Sequence, residues 1–255
     1  MTDQLIVEVD GPVATATFNR PQARNAMTWA MYEGLVEFCE RVDDDPAIRV
    51  AVLRGAGGKA FVAGTDIGQF LEFNGAADGL AYEERIDAVL DRLEDVRVPT
   101  VAVIDGYATG GGLSIAASCD LRIGTAAAKF GLPIARTVGN CLSMGSYARL
   151  VHLVGAARAG YLIYTAGFVG AEDAAQAGLL SEVVTDIDAR VAELCTQLAD
   201  QAPLTMLASK RALRRLRDRA LPPDEDLIAM CYGSEDFREG VRAFTEKRRP
   251  EWRGH

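Results

Sequence analysis

The first part of the chain shows two hydrophobic rhythms. Residues 5–9 and 13–18 alternate between apolar and polar on either side of Gly11-Pro12, and this period of two predicts a β-hairpin. Apolar side chains then recur at helical spacing over residues 29–42, and the pattern stops at an acidic run that ends in Pro46. The chain therefore opens with a predicted hairpin, followed by a predicted amphipathic helix.

Short apolar segments then alternate with helical patterns. Residues 48–54 and 100–104 have the composition of buried strands, and a helix is predicted between them at about 82–93. Three glycines, residues 110–112, follow the second of these strands and precede an apolar helical pattern. Strands that alternate with helices at this spacing indicate an α/β domain with crossover connections.

Strand patterns fade after about residue 143, and helical patterns dominate the rest of the chain. The predicted helices cover residues 143–154, 171–177, 189–202, 204–217 and 224–237. No linker rich in Pro, Gly or Ser separates the two parts of the sequence, which favours a single large domain with a helical C-terminal region.

Composition restricts the partners and the compartment. The formal net charge of -9 argues against a nucleic-acid partner, because such proteins usually present a basic face. Five cysteines, an odd number without C-x-x-C spacing, indicate a reduced cytoplasmic protein rather than a disulfide scaffold. His152 and His255 lack partners at metal-ligand spacing, so no metal site is expected. Neither a signal peptide nor a membrane span is predicted.

Two glycine turns, at residues 63–67 and 110–112, each follow a predicted strand and precede a helical segment. Backbone N–H groups in the first turn of a helix have no intrahelical partner, and the helix dipole makes that end positive. Two such N–H groups that meet at one pocket form an oxyanion hole, which stabilises the charge that develops on a carbonyl oxygen. Glycine turns before helices also occur without a function, so the turns alone leave both interpretations open.

Eight segments along the chain carry recognisable motifs. In order they are 18–26 (FNRPQARNA), 60–67 (AFVAGTDI), 105–112 (DGYATGGG), 119–120 (CD), 129–133 (KFGLP), 165–174 (TAGFVGAEDA), 178–184 (GLLSEVV) and 239–248 (EGVRAFTEKR). Together they resemble the signatures of the crotonase (enoyl-CoA hydratase/isomerase) superfamily. Each motif is loose alone, but eight in register over nearly the whole chain are specific.

The resemblance implies an α/β crotonase fold, a spiral of ββα units over residues 1–200 with a helical region for trimerisation and CoA contacts over 201–255. It also implies an enzyme that binds acyl-CoA thioesters and stabilises a thioester enolate with the N–H groups of Thr65 and Gly111. Coenzyme A enters as part of the substrate, and no permanently bound cofactor is expected. We therefore expect a cytoplasmic homotrimer or dimer of trimers, without nucleic-acid or membrane partners.

The same resemblance assigns the residues that contact the substrate and CoA. They are Arg24, Ala26, Ala63, Asp66, Ile67, Gly110, Pro133, Ile134, Phe244 and Lys247. Phe244 and Lys247 match positions that reach the adenosine part of CoA, often across a subunit boundary. A solvated helix charge explains Lys247 equally well, and Asp66 is also explained as the cap of its own turn.

Two positions depart from the family pattern. Hydratases of the family carry two glutamates that share the catalytic water, and the resemblance puts Ser114 and Ile134 at these positions. A serine hydroxyl unaided is too weak an acid to serve as a base near neutral pH, and isoleucine cannot transfer protons. Ser114 either hydrogen-bonds the acyl group or fills space in its helix. Ordinary hydration through a glutamate pair is therefore not expected.

Some family members carry another catalytic carboxylate shortly after the position of Ile134. In this sequence Cys141 is a candidate nucleophile or acid–base group there, provided that Arg136 or a helix N-terminus lowers the pKa of its thiol; a small buried thiol is the alternative. Asn140 either orients water or a carbonyl group, or forms a turn. Arg136 pairs either with a substrate carboxylate or with an acidic neighbour.

These expectations leave several reactions open. Isomerisation, decarboxylation of a malonyl-type thioester and hydrolysis would each use the oxyanion hole without the glutamate pair. Decarboxylation is physically attractive because the loss of CO2 generates the enolate without a base, with Arg136 holding the leaving carboxylate. The alternative from a different class is a catalytically silent acyl-CoA-binding protein.

Overall fold

Two β-sheets and the helices around them form the structure, a computed structural model that describes residues 3–218, 223 and 225–253. The strands are β1 (Leu5–Asp10), β2 (Val13–Phe18), β3 (Val50–Gly55), β4 (Ala60–Ala63), β5 (Thr100–Ile104), β6 (Tyr107–Thr109), β7 (Leu121–Thr125), β8 (Lys129–Gly131), β9 (Phe168–Gly170) and β10 (Glu182–Val184). The helices are α1 (Trp29–Asp44), α2 (Ala76–Asp95), α3 (Gly111–Ser118), α4 (Ile134–Thr137), α5 (Met144–Thr165), α6 (Ala171–Gln176), α7 (Ile187–Ala199), α8 (Pro203–Arg217), α9 (Glu225–Tyr232) and α10 (Glu235–Thr245).

The larger sheet has six strands in the order β1-β2-β3-β5-β7-β10. The predicted hairpin is confirmed, since β1 and β2 pair antiparallel with Leu5 opposite Phe18. The other neighbours in this sheet pair in parallel. The first four residues of β3 and all of β5 are buried, as expected for parallel strands with both faces covered.

The smaller sheet positions the two glycine turns. Its order is β4-β6-β8-β9, and β4 pairs in parallel with β6, with Ala63 opposite Thr109. Because the carboxyl ends of parallel neighbours lie at the same edge, the turns that follow Ala63 and Thr109 come together there. The α/β architecture with crossover connections, predicted from the sequence, is confirmed.

The C-terminal part differs from the prediction in three ways. Two short strands, β9 and β10, lie between the helices where no strand was expected, each at the edge of a sheet. The helix predicted over 224–237 is two helices, because the Ser234 hydroxyl accepts a hydrogen bond from the Phe237 N–H at 3.0 Å and starts α10. Residue 224, like His255, lies outside the described residues. The helix predicted over 143–154 extends to Thr165 through a non-helical residue, Gly155.

Helix α8 is held to the outside of the core by ion pairs. None of its residues is buried, and Leu204, Leu213 and Leu216 are exposed. Lys210 pairs with Asp120 at 2.8 Å, and Arg217 pairs with Glu94 of α2. Within the described residues, no helix combines the length and the apolar character needed to cross a lipid bilayer.

Candidate functional site

A cavity of about 570 Å³ opens at the carboxyl ends of β4 and β6. Most residues that the sequence singled out lie in its wall. These lining residues are Arg24, Ala26, Ala63, Thr65, Asp66, Ile67, Gly110, Gly111, Ser114, Pro133, Ile134, Asn140 and Phe244. Motifs separated by up to 220 positions in the sequence therefore meet at one cavity, which has the size of a small-molecule site.

Three of the predicted site residues lie elsewhere. Arg136 is exposed on α4, and Lys247 is exposed just after α10. Cys141 is buried, with its Sγ 3.5 Å from the Leu227 carbonyl oxygen. None of these three residues belongs to the described lining of the cavity.

Thr65 and Gly111 lie on two turns that meet in the cavity wall. A Cβ atom placed on Gly111 would lie 3.8 Å from the Thr65 nitrogen and 3.2 Å from Thr65 Oγ1, so the two turns are in contact. Neither N–H donates a hydrogen bond to another of the described residues. Gly111 is the first residue of α3, where the helix dipole adds positive potential. Two N–H groups without a partner among the described residues therefore lie on adjacent turns of the cavity wall.

Close packing of α3 against β4 holds these two turns together. A Cβ atom on Gly112 would lie only 2.0 Å from the Val62 carbonyl oxygen, so a residue without a side chain is required there. The Gly110 N–H donates to the Gly131 carbonyl oxygen of β8 at 3.1 Å, which fixes the turn from the other side. The positions of both donors thus depend on main-chain contacts within the smaller sheet.

Two tyrosines brace the Thr65 side chain. Thr65 Oγ1 lies 2.8 Å from the Tyr32 hydroxyl and 2.7 Å from the Tyr82 hydroxyl. Burial raises the pKa of Tyr32 to about 12 and raises the pKa of Tyr82 well above its usual value, so both remain neutral hydrogen-bonding groups. The sequence pattern included Tyr32 among the apolar positions of a predicted helix and Tyr82 as the start of another, and it gave neither hydroxyl a role, because these contacts depend on how α1, α2 and the turn pack together.

The loop that carries Arg24 forms the entrance of the cavity. Arg24 and Asn25 both have positive φ, and the buried Asn25 side chain donates to the carbonyl oxygens of Ala56 and Ala60 at 3.0 and 2.8 Å. These bonds hold the loop rigidly. The Arg24 guanidinium lies 5.7 Å from the centre of the Tyr107 ring, and it provides a cation at the entrance.

Asp66 lies at the same entrance, but its carboxylate already contacts two neighbouring protein groups. Its carboxylate accepts a hydrogen bond from the Gly68 N–H at 3.2 Å and pairs with Arg20 at 3.0 Å. On the far side, Phe244 of α10 lines the cavity of its own chain. Helix α10 packs against residues 67–70 and α4 of the same chain, so this contact needs no neighbouring subunit.

A buried glutamate, absent from the sequence predictions, lies in the cavity wall. Glu83 of α2 is 4% exposed, its Oε2 accepts a hydrogen bond from the Ser143 N–H at 3.2 Å, and its Oε1 accepts one from the Tyr232 hydroxyl. Asn140 Nδ2 donates to the Tyr232 hydroxyl at 3.1 Å. The negative charge of Glu83 contributes to the raised pKa of Tyr232, after the larger effect of burial.

The Cys141 thiol forms a hydrogen bond with a second cysteine, Cys231. A hydrogen bond from Cys141 lowers the pKa of the half-buried Cys231 thiol to about 7. The thiolate character expected near Cys141 therefore falls on Cys231 of α9. As for metals, no group of three or more His, Cys, Asp or Glu side chains with metal-site geometry occurs in the part of the chain that the structure describes.

Comparisons with known proteins agree with the resemblance in the motifs. A sequence model of the family described as Enoyl-CoA hydratase/isomerase matches residues 8–255. The chain is 34% identical to a short-chain-enoyl-CoA hydratase of Clostridium acetobutylicum, over 98% of this chain and 97% of that protein. It is 33% identical to a 2,3-dehydroadipyl-CoA hydratase of Escherichia coli, over 98% of this chain and 99% of that protein.

Solved structures share the fold over the whole chain. A methylmalonyl-CoA decarboxylase in complex with 2-nitronate-propionyl-CoA superposes with a TM-score of 0.91 at 26% identity, with complete coverage of both chains. An enoyl-CoA hydratase/carnithine racemase from Magnetospirillum magneticum gives a TM-score of 0.81 at 33% identity, over 100% of this chain and 97% of that one.

Proposed function

The chain belongs to the enoyl-CoA hydratase/isomerase family and has the crotonase fold, and from that premise we propose that it converts an acyl-CoA thioester through an enolate. In this proposal the N–H groups of Thr65 and Gly111 hold the thioester oxygen. Coenzyme A is part of the substrate, and the two loops that carry Arg24 and Asp66 face it at the entrance of the cavity.

The observation that carries this proposal is the pair of unengaged N–H groups at one point of the cavity wall. Charge that develops on a thioester oxygen is stabilised by donors already in place, and one such donor contributes ~3–4 kcal/mol to lowering the barrier. The Tyr32 and Tyr82 hydroxyls keep the Thr65 turn in position without competing for the thioester oxygen, because both are bonded to Thr65 Oγ1.

Hydration through a glutamate pair is not the reaction we propose. The family resemblance puts Ser114 and Ile134 at the two glutamate positions, and both residues line the cavity. Neither side chain can serve as a general acid or general base near neutral pH. We therefore propose that the 2-enoyl-CoA hydratase reaction named for several relatives is weak or absent in this protein.

Decarboxylation of a malonyl-type thioester is the second candidate. Its support is the superposition on a methylmalonyl-CoA decarboxylase with a TM-score of 0.91. The exposed position of Arg136 weighs against the form of this reaction in which that guanidinium holds the leaving carboxylate. Among the described lining residues the cation is Arg24 at the entrance.

We also propose a homotrimer or a dimer of trimers. The exposed leucines of α8 support this assembly, because an apolar helix face is more stable when a second subunit covers it. Light scattering on a sizing column tests the assembly, and a monomer at micromolar concentration would contradict it.

The function is tested by incubating the protein with enoyl-, dienoyl-, malonyl- and aroyl-CoA thioesters and identifying the products by mass spectrometry. Calorimetry measures the binding of each thioester in parallel. We expect binding of acyl-CoA and conversion of at least one class, with little hydration of crotonyl-CoA. Binding without any product would favour a silent acyl-CoA-binding protein, and absence of binding would refute the proposal.

A further inference from the structure

Glu83 lies in the cavity wall without a part in the enolate chemistry described above. We propose that Glu83 is the proton-transferring residue of this cavity and that Tyr232 positions it, for the isomerase reaction that the family description includes, in which the double bond of a β,γ-unsaturated acyl-CoA moves into conjugation. This inference rests on the proposed function, since it requires an acyl-CoA thioester held at Thr65 and Gly111.

The choice of Glu83 follows from the carboxylates available. Among the described lining residues only Asp66 and Glu83 carry a carboxyl group. Asp66 lies at the entrance, partly exposed, and pairs with the Arg20 guanidinium, which stabilises its charged form, whereas the Glu83 oxygens accept from two neutral donors, the Ser143 N–H and the Tyr232 hydroxyl. Glu83 is almost completely shielded from water. The partners of its carboxylate are therefore neighbouring protein groups and a ligand bound in the cavity.

The position of Glu83 is built by close contact between α2 and α9. A Cβ atom on Gly79 would lie 2.2 Å from Cγ of Tyr232. The absence of a side chain at Gly79 therefore allows Tyr232 to pack directly against α2. Gly79 and Glu83 are four residues apart and share a helix face, and the Tyr232 hydroxyl therefore reaches the Glu83 carboxylate. A hydrogen bond from the Ser143 N–H to Glu83 Oε2 and one from Asn140 Nδ2 to the Tyr232 hydroxyl complete the arrangement.

Tyr82, the residue before Glu83, connects α2 to the turn that carries Thr65. Tyr82 hydrogen-bonds Thr65 Oγ1 at 2.7 Å, and its ring centre lies 6.1 Å from that of Tyr232. Glu83 lines the same cavity as Thr65 and Gly111, so an acyl chain held at those two residues has the Glu83 carboxylate in the wall that surrounds it.

One carboxylate suffices for migration of the double bond. The Glu83 carboxylate takes a proton from the carbon next to the thioester, and the electron pair of that C–H bond forms the dienolate held by the two N–H groups. The Glu83 carboxylic acid then returns the proton to the fourth carbon. The thioester carbonyl re-forms, and the double bond lies between the second and third carbons. No water and no second acid–base group is consumed.

The test measures 3-enoyl-CoA to 2-enoyl-CoA conversion, together with incorporation of deuterium from D2O into the thioester. Glu83→Gln keeps the size of the side chain and its ability to form hydrogen bonds, but an amide cannot take up a proton from the substrate and return it. Glu84→Gln is the matched control, because Glu84 is exposed on the same helix. We expect Glu83→Gln to lose at least 100-fold in both readouts while it binds acyl-CoA normally, and Glu84→Gln to match the unmodified protein.

Tyr232→Phe tests the positioning role. The expected result is a tenfold or larger loss in kcat with KM unchanged, because the hydroxyl contacts Glu83 and not the ligand. Glu83→Asp, which keeps a carboxyl group, is expected to retain more activity than Glu83→Gln, and this order keeps the test valid if the latter folds poorly.

Two outcomes would overturn the inference. One is turnover by Glu83→Gln within threefold of the unmodified protein. The other is an unmodified protein that binds and converts another class of acyl-CoA but leaves 3-enoyl-CoA unchanged. Both are distinguishable from failure of the proposed function, in which the unmodified protein does not bind acyl-CoA at all.

Discussion

Replacement of Gly111 by proline removes one oxyanion donor without removing a side chain. Gly111 is the first residue of α3, a position where proline fits the helix and where the N–H has no intrahelical partner. The ring of proline puts a carbon in the place of the N–H hydrogen. Gly111→Ala is the matched control, because it adds the same Cβ atom and keeps the N–H.

The structure sets the size of the expected effect. In both variants the Cβ atom meets the Tyr32 hydroxyl oxygen at 2.8 Å and Thr65 Oγ1 at 3.2 Å, so this part of the steric cost is shared, whereas the Cδ atom at the position of the N–H hydrogen is present in the proline variant alone. The Gly111 N–H donates to no described protein group, so its whole hydrogen bond is available to the thioester oxygen. Loss of one such donor costs ~3–4 kcal/mol of barrier stabilisation, or about 10²–10³ in kcat.

The assay is steady-state turnover of the thioester found to be the substrate, with thermal unfolding of both variants as a check on folding. We expect the proline variant to be about 10²–10³-fold slower than the alanine variant at similar thermal stability. Equal kcat values for the two folded variants would refute the assignment of the Gly111 N–H as an oxyanion donor.

Three further predictions follow from the packing and the charges. Gly112→Ala brings a Cβ atom to 2.0 Å from the Val62 carbonyl oxygen and is expected to cost ~1–3 kcal/mol in urea unfolding and to lower kcat, whereas Gly170→Ala, with nothing within 4 Å, is expected to do neither. Arg149→Ala removes a buried guanidinium that pairs with Asp87, Asp91 and the buried Glu94, which keeps its pair with Arg217, and is expected to destabilise the fold by ~1.5–3 kcal/mol in the same assay; a loss below ~0.5 kcal/mol would contradict this. Alkylation of Cys231 by iodoacetamide is expected to rise with pH around a midpoint of about 7, and Cys141→Ala is expected to move that midpoint toward 9.0, whereas an unchanged midpoint would exclude the thiol–thiol bond as its cause.

The main-chain part of the site was predictable from the sequence because it depends on local backbone chemistry. Glycines after short buried strands mark turns whose N–H groups are free, and the parallel pairing of β4 with β6 then brings Thr65 and Gly111 together. The resemblance to the crotonase superfamily, rather than the glycine turns alone, singled out Thr65 and Gly111 and most of the other residues of the cavity wall. These features follow from turns and strand order, which the sequence encodes over short distances.

The side-chain part was not predictable, because it depends on contacts between distant elements. Glu83 and Tyr232 are 149 positions apart, and only the packing of α2 against α9 brings them together. Before folding, Glu83 is one acid among several on an amphipathic helix. The resemblance also raised Arg136 and Cys141 as candidates beside bland alternatives; they follow the motif of Ile134 closely in sequence but lie outside the described lining of the cavity.

The C-terminal region shows the same limit. The motif that includes Phe244 was found in the sequence, but whether it completes its own cavity or that of a neighbour depends on how α10 folds back. Contacts of α10 with α4 and residues 67–70 place Phe244 in the cavity of its own chain. The short edge strands β9 and β10 have three residues each, too few for a periodic signal to develop.

The central claim is that the N–H groups of Thr65 and Gly111 bind the oxygen of an acyl-CoA thioester. A crystal structure with a non-hydrolysable CoA thioester analogue tests it most directly. We expect the thioester oxygen to lie within about 2.7–3.1 Å of the backbone nitrogens of Thr65 and Gly111, with the acyl chain directed toward Glu83. A thioester oxygen that contacts neither nitrogen, with the analogue bound at this cavity or elsewhere, would contradict it.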